Sequence, residues 1–436
     1  MERISKNDDA PKANRSVLRR DLCSSTSDGG GFSTMVGLGE TYFPAYFLVL
    51  GMSDFKIGVL ATVPYLLGSL YQMLTPWGVR RLHSFRRWVV LNASIQAASL
   101  FVMGWLTWYN QAQFWNVLLL VSFYWGGGLA TSPVWNTWME FLVPQRVRVK
   151  FLSRRMRVCQ ISLLLSVTLA GFLIEGATQR GAPIMCFAAL LFGAAFARSF
   201  SSFMLNRKSE HSRWVDAVHP PKKGLRAKSH AWSIARSTVP FFVAMQFAVF
   251  ISAPYFAPFI LRVMGADCTQ YMFLIVLGYV GRIMTLHWAG SVARHWGAGW
   301  LLLIGGIGMI PLSGLWIFHQ SFLFLCILQV IGGAAWAWYE LAVSLVLIEK
   351  ITGPGRVTVL AWFNTFNGVA MVAGMLIGGA IIQFWEGNEW AFIAVFLLSS
   401  AARLFAFVLF PRRLFQSETA AEFIEPPIPI DRPRID

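Results

Sequence analysis

Charge is what this sequence lacks. Only 13% of its 436 residues are Asp, Glu, Lys or Arg, where a soluble domain carries about 25%. A soluble fold of this length could not cover its surface with so few charges. Acidic residues are the scarcer sign, 21 against 37 basic ones, for a formal net charge of +16. Such a balance suits a nucleic-acid partner. Here the basic residues sit in the gaps between apolar runs, as the positive-inside rule distributes them, so no nucleic acid is expected. The five cysteines (Cys23, Cys159, Cys186, Cys268, Cys326) are odd in number and form no CxxC, which argues against a disulfide framework or a metal site. No P-loop, HExxH or GxSxG motif occurs. Gly29-Gly30-Gly31 follows no strand and reads as a loose linker, not a nucleotide loop. An ATP-driven pump and an enzyme are therefore not expected, nor is any cofactor.

What is present is apolar. Hydrophobic residues make up 56% of the chain, with a mean hydropathy of +0.54. Twelve apolar runs stand out, at about 32–51, 56–77, 88–109, 114–139, 157–177, 183–205, 238–262, 269–292, 299–319, 321–348, 357–385 and 390–411. Each is close to the roughly 20 residues that a membrane-crossing helix needs. The expectation is an all-α membrane protein of twelve transmembrane helices in the lipid bilayer. Residues 1–31 are polar and contain no signal-peptide pattern; they read as a disordered cytoplasmic tail, as does 412–436.

Basic residues set the orientation. With the N-terminus inside, 31 of the 37 Lys and Arg fall on the cytoplasmic side, and only Lys56, Arg180 and Arg262 on the outer one. Both termini are thus expected in the cytoplasm, and the protein in the inner (cytoplasmic) membrane. The longest polar segment, 206–237, contains Pro220-Pro221-Lys222-Lys223 and reads as a solvated linker. It divides two halves, 32–205 and 238–411.

The halves repeat. Tyr42-Phe43-Pro44 reaches Asp54 after twelve residues, and Tyr255-Phe256 reaches Asp267 likewise, at an offset of 213. The loop beginning Arg80-Arg81 has its counterpart at Arg294, at an offset of 214. Helices 4 and 10 each carry Gly-Gly, tryptophans, a terminal Glu (Glu140, Glu349) and then Arg-Val (Arg146-Val147, Arg356-Val357). Parallel six-helix halves of this kind are one transporter plan.

On these residues the chain resembles the major facilitator superfamily, over about 32–411. That superfamily's signature loop between helices 2 and 3 runs Gly-x-x-x-Asp-Arg-x-Gly. The counterparts here are Pro76-Trp77-Gly78-Val79-Arg80-Arg81-Leu82-His83 and Gly290-Ser291-Val292-Ala293-Arg294-His295-Trp296-Gly297. The second copy keeps both glycines, and Arg80 and Arg294 replace the Asp of both. The segment from Val134 to Pro144 is similar to the end of helix 4 in bacterial members. The resemblance implies two pseudo-symmetric six-helix bundles working by alternating access, with helices 1, 4, 7 and 10 around a central cavity and 2, 5, 8 and 11 at the contact between halves. With the signature Asp gone, a cytoplasmic latch would fall to Arg80, Arg81, Glu140, Arg294 and Glu349.

A charge at mid-bilayer costs about 2.5–3.5 kcal/mol on insertion scales and marks function by default. Three lie deep in their runs: Glu40 in helix 1, Arg282 in helix 8 and Glu340 in helix 10. Together they suggest a coupling triad in which a carboxylate exchanges a proton and then releases Arg282. The plainer alternative is a fixed pair locking helices 8 and 10. His287 fits packing equally well. Arg198 and Arg403 are expected to snorkel toward the cytoplasmic ends of helices 6 and 12.

Aromatic residues are the other surplus, with 19 tryptophans. Trp105, Trp108, Trp385 and Trp390 fit interfacial belts. Trp135, Trp138, Trp336, Tyr339 and Tyr42 fall on helices that the resemblance puts at the cavity. An acid beside a Trp suits an amphipathic or cationic solute. Asn364, with Asn367, offers uncharged contacts to a solute or to a neighbouring helix. The expectation is a monomeric secondary transporter of a small organic solute, coupled to protons, and not an enzyme. A transporter-fold sensor or assembly partner without turnover is the alternative; a membrane enzyme on lipid-linked substrates would need a cluster of catalytic groups at one interface.

Overall fold

A computed structural model describes residues 9–210 and 230–415, apart from 267, 319–320, 352–354 and 387. Residues 1–8, Pro220-Pro221-Lys222-Lys223, Asp267 and 416–436 lie outside the described residues. All regular elements among the described residues are helical. The first part of the chain forms α1 (Asp9–Leu38), α2 (Phe43–Val49), α3 (Asp54–Tyr71), α4 (Thr75–Leu82), α5 (Phe85–Trp108), α6 (Phe114–Leu142), α7 (Gln145–Gln179) and α8 (Pro183–Asn206). The second part forms α9 (His230–Ser252), α10 (Cys268–Met309), α11 (Leu312–Phe318), α12 (Phe322–Glu349), α13 (Arg356–Phe384) and α14 (Glu389–Ala406). Ten helical segments among the described residues are long and apolar enough to cross a membrane. Large apolar side chains such as Phe172, Phe196, Phe384 and Phe405 stand exposed on their outer faces, as lipid contact requires.

The helix start differs from the sequence expectation. Residues 9–31, read above as a disordered tail, belong to α1, which packs along α7 and α8. Hydropathy could not reveal this, because the face of α1 that packs is polar: Asp21, Ser24, Ser25 and Asp28 are all buried. Gly29-Gly30-Gly31 is no linker but a close-packing stripe; a Cβ on Gly31 would lie 3.0 Å from the Ala197 carbonyl oxygen. The opening of the linker is not solvated either. Lys208 is fully buried. Glu210 accepts the backbone N–H groups of Phe85 and Arg86 and the Ser84 hydroxyl, at the N-terminus of α5, where a carboxylate complements the helix dipole.

Contacts fall mostly within two sets of helices. In the first set α1 packs on α7 and α8, α5 on α6 and α8, and α3 on α6. In the second, α10 packs on α12, α9 on α13 and α14, and α11 on α14. Between the sets, α7 meets α10, and α3, α4 and α6 meet α13.

The sequence repeat is legible in the backbone. Short 3-10 turns interrupt the chain at Glu40–Tyr42 and again at Ala253–Tyr255, the same repeat position. Each arm ends at a left-handed glycine, Gly51 (φ 72°) or Gly265 (φ 65°). The closing position of the signature loop is also shared. Gly297 adopts φ 86°, ψ 170° and breaks α10 in two, near where the sequence divides the eighth and ninth runs. Its counterpart His83 takes φ 49° and ends α4. The Gly297 conformation is essentially open to glycine alone, whereas His tolerates the αL region better than most residues.

This position yields a test. Gly297→Val should destabilise the purified protein by about 1–3 kcal/mol, seen as a lower apparent melting temperature. At His83, a Val should be about 1–2 kcal/mol less stable than a Gly. Equal melting temperatures for His83→Val and His83→Gly would contradict the left-handed assignment.

Candidate functional site

The charged pair at the heart of the second helix set is built on glycine. A Cβ on Gly333 would come 2.0 Å from the Gly278 carbonyl oxygen, and one on Gly281 would come 2.2 Å from that of Val330. Backbone therefore touches backbone where α10 crosses α12, as small residues allow between membrane helices. The crossing sets Arg282, next to Gly281, opposite Glu340, two turns beyond Gly333. Arg282 Nη1 donates to both carboxylate oxygens of Glu340, at 3.0 and 3.1 Å. The guanidinium also lies 5.6 Å from the Trp336 ring centroid and 5.9 Å from that of Tyr279. The side chains are 22% and 33% exposed, so this ion pair is not sealed inside the helix set.

Glu40, the third member of the expected triad, is held elsewhere. It sits in the 3-10 turn after α1 and accepts a 2.6 Å hydrogen bond from the Tyr124 hydroxyl. Tyr42 donates to the Val167 carbonyl on α7. Tyr339 is buried at 5% exposure against the second leg of α10, its backbone beside Gly305, so of the paired aromatics on α12 only Trp336 borders the cavity described below. Asn364 donates to the Ser132 hydroxyl at 3.3 Å. With Gln72 to Thr365 (3.3 Å) and Thr365 to the Ser69 carbonyl (3.0 Å), it stitches α13 to the first helix set.

Trp135 and Trp138 turn to the interior of the first helix set. Arg155 stacks 4.3 Å from the Trp135 ring centroid, and Lys208 lies 5.3 Å from that of Trp138. The Trp138 indole donates to the Ser209 carbonyl. Both rings cover a buried ionic node centred on Asp28. Its carboxylate lies 3.3 Å from Lys208 Nζ and 3.5 Å from Arg155, and accepts the Ser201 hydroxyl at 2.8 Å. Ser201 in turn accepts from Arg198, whose Nε donates to Gln96. Burial pushes the Lys208 ammonium down to about 8, against the pull of Asp28. Arg198 does not snorkel: it is 2% exposed inside this network. Nothing in the apolar periodicity announced the node, because every member is polar.

A second ionic link joins the two helix sets. Glu140, near the end of α6, pairs with Arg356, the first residue of α13. Arg356 is fully buried and also donates to the carbonyls of Asn136, Leu347, Ile348 and Ile351. The reciprocal pair is present in outline. Arg148 donates to the Glu140 and Val143 carbonyls, and Glu349 lies within electrostatic reach of it. Arg356 was not among the latch residues drawn from the sequence. The repeat carried the signal in part: Glu349 followed by Arg356-Val357 repeats Glu140 followed by Arg146-Val147, although the buried arginine of the first half is Arg148, two positions further on. Arg80, Arg81 and Arg294, by contrast, are exposed.

Removing one partner of a buried ion pair costs about 3–5 kcal/mol. Arg356→Gln should therefore loosen the contact between α6 and α13 and raise the labelling rate of a cysteine placed at Ser132. The exchange Glu140→Arg with Arg356→Glu should restore part of the protection. Unchanged labelling in Arg356→Gln would show that the pair does not hold the helix sets together.

Residues 239–432 match the family model of the Major Facilitator Superfamily. No curated protein matches the sequence. Among solved structures, the fold is similar to a bacterial homologue of the iron transporter ferroportin in an outward-facing state, at a TM-score of 0.68 and 14% identity, covering 90% of this chain and 98% of that one. It is similar to the proton:xylose symporter XylE bound to 6-bromo-6-deoxy-D-glucose, at 0.69 and 14%, over 91% and 97% of the two chains. It is also similar to FucP in the outward conformation, at 0.66 and 11%, over 91% and 99%. At these identities the likeness is one of fold.

Proposed function

We propose that this chain, a multi-pass membrane protein and a member of the major facilitator superfamily, is a secondary transporter that moves a small organic solute by alternating access, coupled to protons. The observation that carries the reading is the part-exposed Arg282–Glu340 pair on the crossing of α10 and α12. In membranes such pairs mark solute and proton paths. An ionised Glu340 holds Arg282; a protonated Glu340 releases it. The pair then has two states set by one proton, which is the minimum a coupled carrier needs.

Twelve spans follow if the broken segment Gln270–Phe318 counts as two and if α1 with α2 makes the first crossing. Both termini then face the cytoplasm, on the side where the basic residues concentrate. On this reading the Glu140–Arg356 lock lies at that end and closes the cytoplasmic side. Inward opening must break the lock and the α13 hydrogen bonds to Ser69 and Ser132. The carrier works as a monomer, without catalysis or bound cofactor.

The test is transport in proteoliposomes under an imposed pH gradient. Glu340→Gln should abolish gradient-driven accumulation by at least ~10-fold while leaving exchange of solute at equal pH. Accumulation in Glu340→Gln that still follows the pH gradient would rule out Glu340 as the coupling group.

A further inference from the structure

The second helix set lines a partly open cavity of about 300 Å³ between α9, α10, α11, α12 and α14. Its wall includes Arg282, Arg403, Gln329, Tyr271, Trp316 and Trp336, and it includes no carboxylate. Glu340 pairs with Arg282 from outside that wall. Arg403 is the unexpected member. It was read as snorkelling, yet it is 3% exposed and faces inward. Its Nη1 donates to the Met309 carbonyl and its Nη2 to the Ser252 hydroxyl. Its Nε has no hydrogen-bond partner, and among the described residues no carboxylate pairs with it. A buried guanidinium without a counter-ion is costly unless something outside the chain neutralises it.

From this geometry we infer that the cavity is the binding site for an organic anion, a small carboxylate or phosphate ester with an apolar or aromatic body. Arg403, a lining residue whose charge no carboxylate among the described residues offsets, supplies the positive charge for the anionic head, and Arg282 lines the same cavity. Gln329 and Tyr271 supply uncharged polar groups, and the rings of Trp316 and Trp336 receive the body. The size and the mix of apolar wall and few polar groups fit a small-ligand site. A cationic solute, which an acid beside Trp336 suggests from sequence, is disfavoured here. Arg282 already occupies the position over the Trp336 ring and neutralises Glu340, so the groups around the cavity sum to a net positive charge.

The inference rests on the transporter reading for its meaning, since an anion held beside a protonatable Glu340 would travel with the proton. Its test is binding, which does not depend on transport. Isothermal titration of the purified protein with benzoate and with phenyl phosphate is compared with benzylammonium and benzyl alcohol. One or both anions should bind saturably and the cation and alcohol should not. Arg403→Gln should weaken anion binding at least ~10-fold, and Arg403→Lys, which keeps the charge, should retain more of it. Benzylammonium binding as tightly as either anion, no anion binding at all, or unchanged anion affinity in a monodisperse Arg403→Gln, would overturn the anion site. If Arg403→Gln does not fold, the wild-type comparison of anion with cation decides. Anion binding without transport of any solute would support the site and overturn the transporter reading; proton-coupled transport of a cation without anion binding would do the reverse.

Discussion

A charge in apolar surroundings must find a partner, and that requirement organises this molecule. Water cannot solvate a group inside a helix bundle, so each ionised side chain there is either paired or expensive. The described structure meets the requirement with three ionic links. Asp28 gathers Lys208, Arg155 and, through Ser201, Arg198 in the first helix set. Glu140 and Arg356 join the two sets. Arg282 and Glu340 join α10 to α12 in the second. These links differ in burial, and on the proposed transport reading burial would separate their roles. The Asp28 node and Arg356 are sealed, which suits fixed architecture or a lock that opens only when helices part. Arg282 and Glu340 are part-exposed, which suits a pair that changes state while the helices stay packed.

How much of this the sequence carried depended on whether a signal was local. Apolar runs are local, and α3, α5, α6, α8, α12, α13 and α14 fall close to the expected ranges. The break at Gly297 is local too, because a glycine closing a basic loop is a backbone feature. The start of α1 was not legible. Asp21, Ser25 and Asp28 look like a solvated tail until their partners on α7, α8 and the segment after α8 are known. Hydropathy scores polarity, not whether the polarity is satisfied. The same blindness made Lys208 look like part of a solvated linker.

The site shows the same division. Glu340 and Arg282 stood out because a charge deep in an apolar run is rare, and the structure brings them together. Glu40 stood out for the same reason but is held by Tyr124; depth in a run does not say which face a residue takes. Trp135 and Trp138 share a helix face, as their spacing requires, but that face looks onto Arg155 and Lys208. Arg356 and Arg403 were passed over, one because it lies at a helix start and the other because a long basic side chain can be imagined reaching water. Burial decides both cases, and burial is a property of the neighbours.

The absence of the Asp that the family resemblance would place in these loops then has a physical account. Arg80 and Arg294 hold its place in the two loops and are exposed, so those loops carry no acid to bind the opposite half. The repeat offers another route. Each half ends its fourth helix with a Glu and follows it, seven or eight positions on, with an Arg at the start of the next one. Two such halves facing each other can exchange partners, Glu140 with Arg356 and Glu349 with Arg148, without any loop contribution. The first exchange is a direct ion pair; in the second, Arg148 spends its donors on the Glu140 and Val143 carbonyls. On the proposed carrier reading, the asymmetry sets how firmly one conformation is held. One tight pair holds a conformation; two would hold it against the few kcal/mol that a solute and a proton can supply by binding one state better than the other.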